Sequence, residues 1–294
     1  MSTSKQHLGL QRYAAFLAIC TLFVILIGAT ITSFQPPVPN VSVSSTIAAE
    51  RVSMQQWHRI SGFVVTALAI GLVVWLAAAR KRGAARWLGW TALAVIILEV
   101  GLGESAAGQR LPDALAFAHA LLAQVLFAAV TAVALCTGPA WDRDPELVED
   151  RFSIRTMALI APILVVAQVA LGAAYRHKAM GVLTHIFGAF VVAVFVLLVG
   201  YLVVKQYPNH ASLRTAAVAL LSIAGLQVLL GFAAFVLRLL TDQVTPAVVI
   251  ITVAHVVTGA LTLAASVFLA IQVRRNIRAA SPAWVEPRAK AVSS

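Results

Sequence analysis

Eight apolar runs, each about 20 residues long, constrain this chain more than any other feature of its sequence. They cover residues 12–33, 56–79, 86–104, 113–137, 154–175, 180–204, 213–238 and 245–272. A bilayer core is about 30 Å thick, which about 20 helical residues cross. No water reaches the backbone there, so each run has to close its own hydrogen bonds as a helix. The breaks between runs carry turn or charge signals: SFQPPVPN, RKRGAAR, GQRLPD, DRDPELVEDR, YRHKAMG, KQYPNH and RLLTDQVTP. The first run resembles a secretion signal in position only. It is long enough to span, and no small-residue cleavage site precedes SFQPPVPN, so it reads as a retained helix. The expected fold is an all-α polytopic membrane protein with eight transmembrane helices.

Composition agrees. The chain is 61% hydrophobic and 11% charged, whereas a soluble domain is about half apolar and about a quarter charged. A net charge of +11 would suit nucleic acid, but the cations flank apolar spans, where they orient helices and meet anionic lipid headgroups. Membrane lipid is therefore the expected partner and nucleic acid is not. With the N-terminus inside, sixteen of the 22 lysines and arginines fall in cytoplasmic segments and six in outer ones, which puts both termini on the cytoplasmic side. Cys20 and Cys136 form no C-x-x-C pair, so neither covalent haem attachment nor a cysteine-ligated zinc site has support.

The stretch SMQQWHRISGF (residues 53–63) sets a titratable imidazole, His58, at the edge of the second span. It is one of four. His58, His119, His185 and His255 stand near the starts of spans 2, 4, 6 and 8, at similar depth on the outer side, while His7, His177 and His210 fall in the tail or loops. The odd spans repeat too. Glu99 to Gly103, Gln168 to Gly172 and Gln227 to Gly231 have the same form, and Val24 to Gly28 is a degenerate copy. A small residue follows each histidine at i+4, namely Gly62, Ala123, Ala189 and Gly259. It lies one turn on along the same helix face and leaves room for something flat. The chain thus reads as four helix pairs in two pseudo-twofold-related four-helix bundles. Residues 1–140 form the N-terminal half, 141–152 an acidic cytoplasmic linker, 153–275 the C-terminal half and 276–294 a tail.

A lone membrane histidine is most simply explained by a hydrogen bond to a neighbouring helix. Four in one repeated position are not, because polar groups within spans are costly and default to function. Zinc would want three or four converging ligands. Two imidazoles per half, His58 with His119 and His185 with His255, instead match bis-axial haem iron. Arg59, Arg110, Arg176, Lys178 and Arg238 all lie on the outer side for the propionates, with Arg59 and Arg176 the first candidates.

HALLAQVLFA at His119, QVALGAAYRHKAM and THIFGA from Gln168 to Ala189, LQVLLGFAAFVLR, and AHVVTGALTLA at His255 resemble the haem A synthase family of cytochrome oxidase assembly across nearly all eight spans. The resemblance implies an oxidoreductase that converts the methyl group of haem O, its substrate, to the formyl group of haem A. It implies a resident haem b on His185 and His255 and a substrate haem facing His58 and His119. A haem O-producing enzyme and cytochrome oxidase assembly factors are the implied partners, and the same surfaces could carry a homo-oligomer. Gln55 stands where the family usually has a glutamate, and the first outer loop lacks the cysteines many members carry. Gln55 and Glu99 are accordingly the catalytic candidates, with Glu50 and Glu104 as further acids. A non-catalytic bis-histidine haem b protein for delivery, sensing or electron transfer is the alternative reading. A transporter, suggested by the internal repeat, lacks intramembrane ion-pair partners in the sequence.

Overall fold

The computed structural model describes residues 3–34, 45–79, 83–104, 113–241 and 243–279. Its elements are eight long helices: α1 (Thr3–Ser33), α2 (Ser45–Ala78), α3 (Ala84–Glu104), α4 (Asp113–Thr137), α5 (Ile154–Arg176), α6 (Val182–Gln206), α7 (Ala211–Leu240) and α8 (Pro246–Asn276). All eight are long and apolar enough to cross a membrane. Leucine, alanine and valine repeat through each helix with no charged stripe. That is the pattern of a span rather than of a surface helix with one wet face. The helices run past the apolar stretches at several ends. α2 begins at Ser45, so His58 lies well inside the helix and not at its start.

α1 packs on α2 and α4, and α3 packs on both α2 and α4; α6 packs on α5 and α7, and α8 on α5 and α7. Two apolar cores result. One gathers Leu10, Leu17, Leu72, Val130 and Val133, and the other Ile154, Val199, Leu213, Leu220 and Leu269. α8 belongs to both. Its Ala260 and Ala264, four residues apart, enter the first core, while Leu263 and Leu269 enter the second. Small side chains on that face let α4 and α1 approach closely, the usual device where lipid offers no hydrophobic drive between helices.

Turn chemistry fixes the helix ends. α5 closes at Lys178, whose φ of 59° supplies the left-handed residue that ends a helix. The amide of Ala179 then returns to the carbonyl of Ala174 at 2.8 Å. His210 caps α7, accepting from the amide of Leu213 through Nδ1 and meeting the carbonyl of Glu146 through Nε2 at 2.9 Å.

The segment between α4 and α5 is tied down. Val148–Glu149 (β1) pairs in parallel with Ile277–Arg278 (β2) beyond α8. The Tyr207 hydroxyl donates to the carbonyl of Glu149 at 2.8 Å and accepts from the amide of Arg151 at 3.2 Å. Arg275 stacks on Trp141 at 4.6 Å and donates to the carbonyls of Ala140, Trp141 and Arg143. This segment therefore sets how the two cores sit against one another at that end. Tyr207→Phe removes two hydrogen bonds worth about 1 kcal/mol each. It is expected to lower the unfolding midpoint of the purified protein in detergent while leaving its helical circular dichroism unchanged.

Candidate functional site

The four spaced histidines meet in two pairs. The rings of His58 (α2) and His119 (α4) lie 6.0 Å apart between centres and 79° from coplanar; those of His185 (α6) and His255 (α8) lie 6.2 Å apart at 84°. The two pairs nearly superimpose in description although they share no residue. Among the described residues no group of three or more histidines, cysteines or carboxylates is placed to hold a metal ion.

Three of the four imidazoles are seated by the odd helix before them. A Cβ added at Gly28 would fall 3.0 Å from Cε1 of His58, at Gly172 3.0 Å from Cε1 of His185, and at Gly231 2.9 Å from Cε1 of His255. These glycines let a ring lie directly on a helix backbone. Main-chain groups four residues earlier, at Val24, Gln168 and Gln227, are polar neighbours of the same three rings. The glycine repeat of the odd spans is plain in the sequence but carries no role there; in the structure these three glycines make room for a histidine ring, a signal present in the matched spacing of glycine and histidine.

The small residues after the histidines behave differently from one another. A Cβ at Gly62 would meet nothing within 4 Å, whereas at Gly259 it would meet Nε2 of Gln227 at 3.3 Å and Oε1 of Gln124 at 3.8 Å. Gln227 reaches across to Nε2 of His255 at 3.4 Å. Gln168 donates through Nε2 to the carbonyl of His185 at 2.9 Å and lies 2.9 Å from that ring's Nδ1. His119 breaks the pattern. Its Nδ1 stands 2.6 Å from Oε2 of Glu99, at ion-pair distance though not in line for a ring N–H hydrogen bond.

The remaining predicted residues spread out. Gln55 and Arg59 are exposed on α2, as is Trp57. Arg176 is turned to α1, where its guanidinium binds Thr32, Ser33 at 2.8 Å and the carbonyl of Ala29. A cation there meets the carbonyl end of α1, the favoured sign for a helix C-terminus. Arg238 lies in its electrostatic reach, with Nη1 buried and unpartnered among the described residues. The side chains of Glu50 and Glu104, the surroundings of Gly103, and Arg110 lie outside the described residues.

Buried polar atoms without a hydrogen bond are rare in native proteins, and each calls for a reason. Among the described residues they are Nδ1 of His58, His119 and His255, one oxygen each of Glu99, Gln124, Gln168 and Gln227, and Nη1 of Arg238. Three are imidazole nitrogens, and three more belong to side chains touching a paired histidine. The unmet polarity is therefore concentrated at the two pairs.

That arrangement fits a haem. An iron midway between two imidazoles, about 2 Å from each nitrogen and roughly 1 Å more from each ring centre, needs centres about 6 Å apart. Gly231→Ala is expected to push the His255 ring off its seat and cost about 1–3 kcal/mol as overpacking, while Gly62→Ala, whose Cβ would meet nothing within 4 Å, is expected to gain up to about 1 kcal/mol from helix propensity. Thermal unfolding of the two variants side by side checks the contrast. No family model and no curated protein matches the chain, so its function is argued from this geometry.

Proposed function

We propose that the chain is a haem A synthase-like membrane oxidoreductase, built as two pseudo-twofold-related four-helix halves with both termini cytoplasmic. It sits in the cell membrane with its haem sites toward the extracytoplasmic face. The observation that carries the reading is the pair of imidazole pairs, 6.0 and 6.2 Å apart and near perpendicular, at corresponding places in the two halves. In this reading His185 and His255 hold a resident haem b, and His58 and His119 receive haem O as substrate. Bound haem iron supplies the one-electron and oxygen chemistry. The chain's own residues bind, orient and exclude water. Glycines 28, 172 and 231 fix the depth of their imidazoles, and the open face at Gly62 leaves space beside His58. Arg59, exposed next to His58, remains the candidate for a propionate of the substrate. Arg176 turns its Nε and Nη2 to α1, and Arg238, whose buried Nη1 has no hydrogen-bond partner among the described residues, is a further candidate for a carboxylate of the resident haem.

Haem b delivery, sensing or electron transfer without methyl oxidation is the second reading. It is favoured by Gln55, a neutral and exposed side chain one turn before His58. Expression in cells that also make haem O, followed by chromatographic identification of the extracted haems, separates the two. Haem A beside haem b is the expected result, with His58→Ala or His119→Ala abolishing haem A. Haem b or haem O alone supports the second reading, and a haem-free protein removes both.

A further inference from the structure

The turn between α2 and α3 carries charge of one sign only. Arg80, Lys81, Arg82 and Arg86 fall within seven residues, and no acid stands between Glu50 and Glu99. The segment between α4 and α5 is different, for there Asp142, Asp144, Glu146, Glu149 and Asp150 are interspersed with Arg143 and Arg151. Cations beside a span with no acids among them draw their counter-charge from outside the chain, and anionic lipid headgroups are the nearest supply.

The structure gives that charge a shaped surface. Gly83 takes a φ of 70°, a left-handed value that suits glycine, and α3 starts at the next residue. Leu76 of α2 lies so close to Gly89 of α3 that an added Cβ would fall 2.5 Å from its Cδ1. Beside this contact Val73, Leu76 and Ala77 form an apolar wall with Arg86 and Trp90. Arg86 and Trp90 also line, with Trp87, an open groove of about 600 Å³, within the range of about 300–1,000 Å³ usual for small-molecule sites. Trp87 is 75% exposed and Trp90 48%, and three residues apart they share a face of α3. Exposed indoles at the end of a span settle at the headgroup level. Arg86 is exposed too, and among the described residues no carboxylate pairs with it. Its guanidinium offers a fork of donors that matches a phosphate.

The geometry points to a binding site for one anionic phospholipid at the α2–α3 turn. Its phosphate lies on Arg86, its headgroup in the groove beside Trp87 and Trp90, and an acyl chain along Val73, Leu76 and Ala77. The charge of Arg80, Lys81 and Arg82 adds to the attraction. A zwitterionic phospholipid has the same phosphate but brings its own ammonium into a cationic site, so the site selects against it. None of this depends on the haem reading. It uses only the spans and residues at the ends of α2 and α3 away from the histidine pairs.

The test titrates the full chain in detergent with phosphatidylglycerol or phosphatidylcholine carrying brominated acyl chains, which quench tryptophan fluorescence on contact. Phosphatidylglycerol is expected to reach half-maximal quenching at a concentration about tenfold lower. Arg86→Gln is expected to weaken that lipid about fivefold, the share of one cation at a lipid surface, and to leave phosphatidylcholine unchanged, with a smaller loss for Arg86→Lys. Trp87→Phe combined with Trp90→Phe is expected to remove the selective part of the quenching. All three side chains are exposed, so these changes leave the packing in place. Equal quenching by the two lipids, a preference untouched by Arg86→Gln, or selective quenching that survives loss of both tryptophans overturns the site. Displacement by inorganic phosphate, where chloride at the same ionic strength has no effect, also overturns it, because the ligand is then a free anion and not a lipid.

Discussion

Hydrocarbon offers no hydrogen-bond partner, and the rest of the structure depends on that constraint. It makes every span a helix, and it forces each polar side chain inside a span to find its partner nearby. The hydroxyls do so within their own helix. Thr21 donates to the carbonyl of Leu17, Ser33 to Ala29, Thr137 to Val133 and Ser266 to Leu263. Once those are satisfied, six of the eight unmet buried polar atoms among the described residues belong to the paired histidines or to side chains that touch them.

Seating a flat, polar ring against a helix requires a residue without a Cβ, and glycines 28, 172 and 231 supply it. Glycine costs about 1 kcal/mol in a helix interior relative to alanine. The packing recovers that cost by holding the imidazole at a defined depth against a neighbouring helix. The fourth ring, His119, has the carboxyl group of Glu99 beside its Nδ1 at 2.6 Å. One internal repeat thus carries two histidine pairs with similar ring geometry and different neighbours, glutamate at one slot and glutamine at the matching one.

Joining the two apolar cores falls to residues with little chemistry of their own. Alanines on α8 let it sit in both cores, and Arg176 stitches α5 to the last turn of α1. At the other end Tyr207, His210 and Arg275 hold the linker through backbone carbonyls. Such contacts are invisible in the sequence because the carbonyls they use belong to any residue. Arg176 shows the consequence: its position suggested an anion, and folding brought it a helix terminus.

The sequence by itself determined the eight spans, because apolar length is a local property that the bilayer reads directly. It also carried the pairing of the histidines, since a repeat with one imidazole at the head of each even span leaves few ways to combine four of them. The long polar lead of α2, from Ser45, was not legible, because its apolar run starts only at residue 56. Tertiary structure alone decided the roles around the rings. Whether a glycine faces a ligand or a histidine, and whether Glu99 meets His58 or His119, depends on the rotation of each helix about its axis. That rotation is set by packing among many small side chains, no one of which announces it.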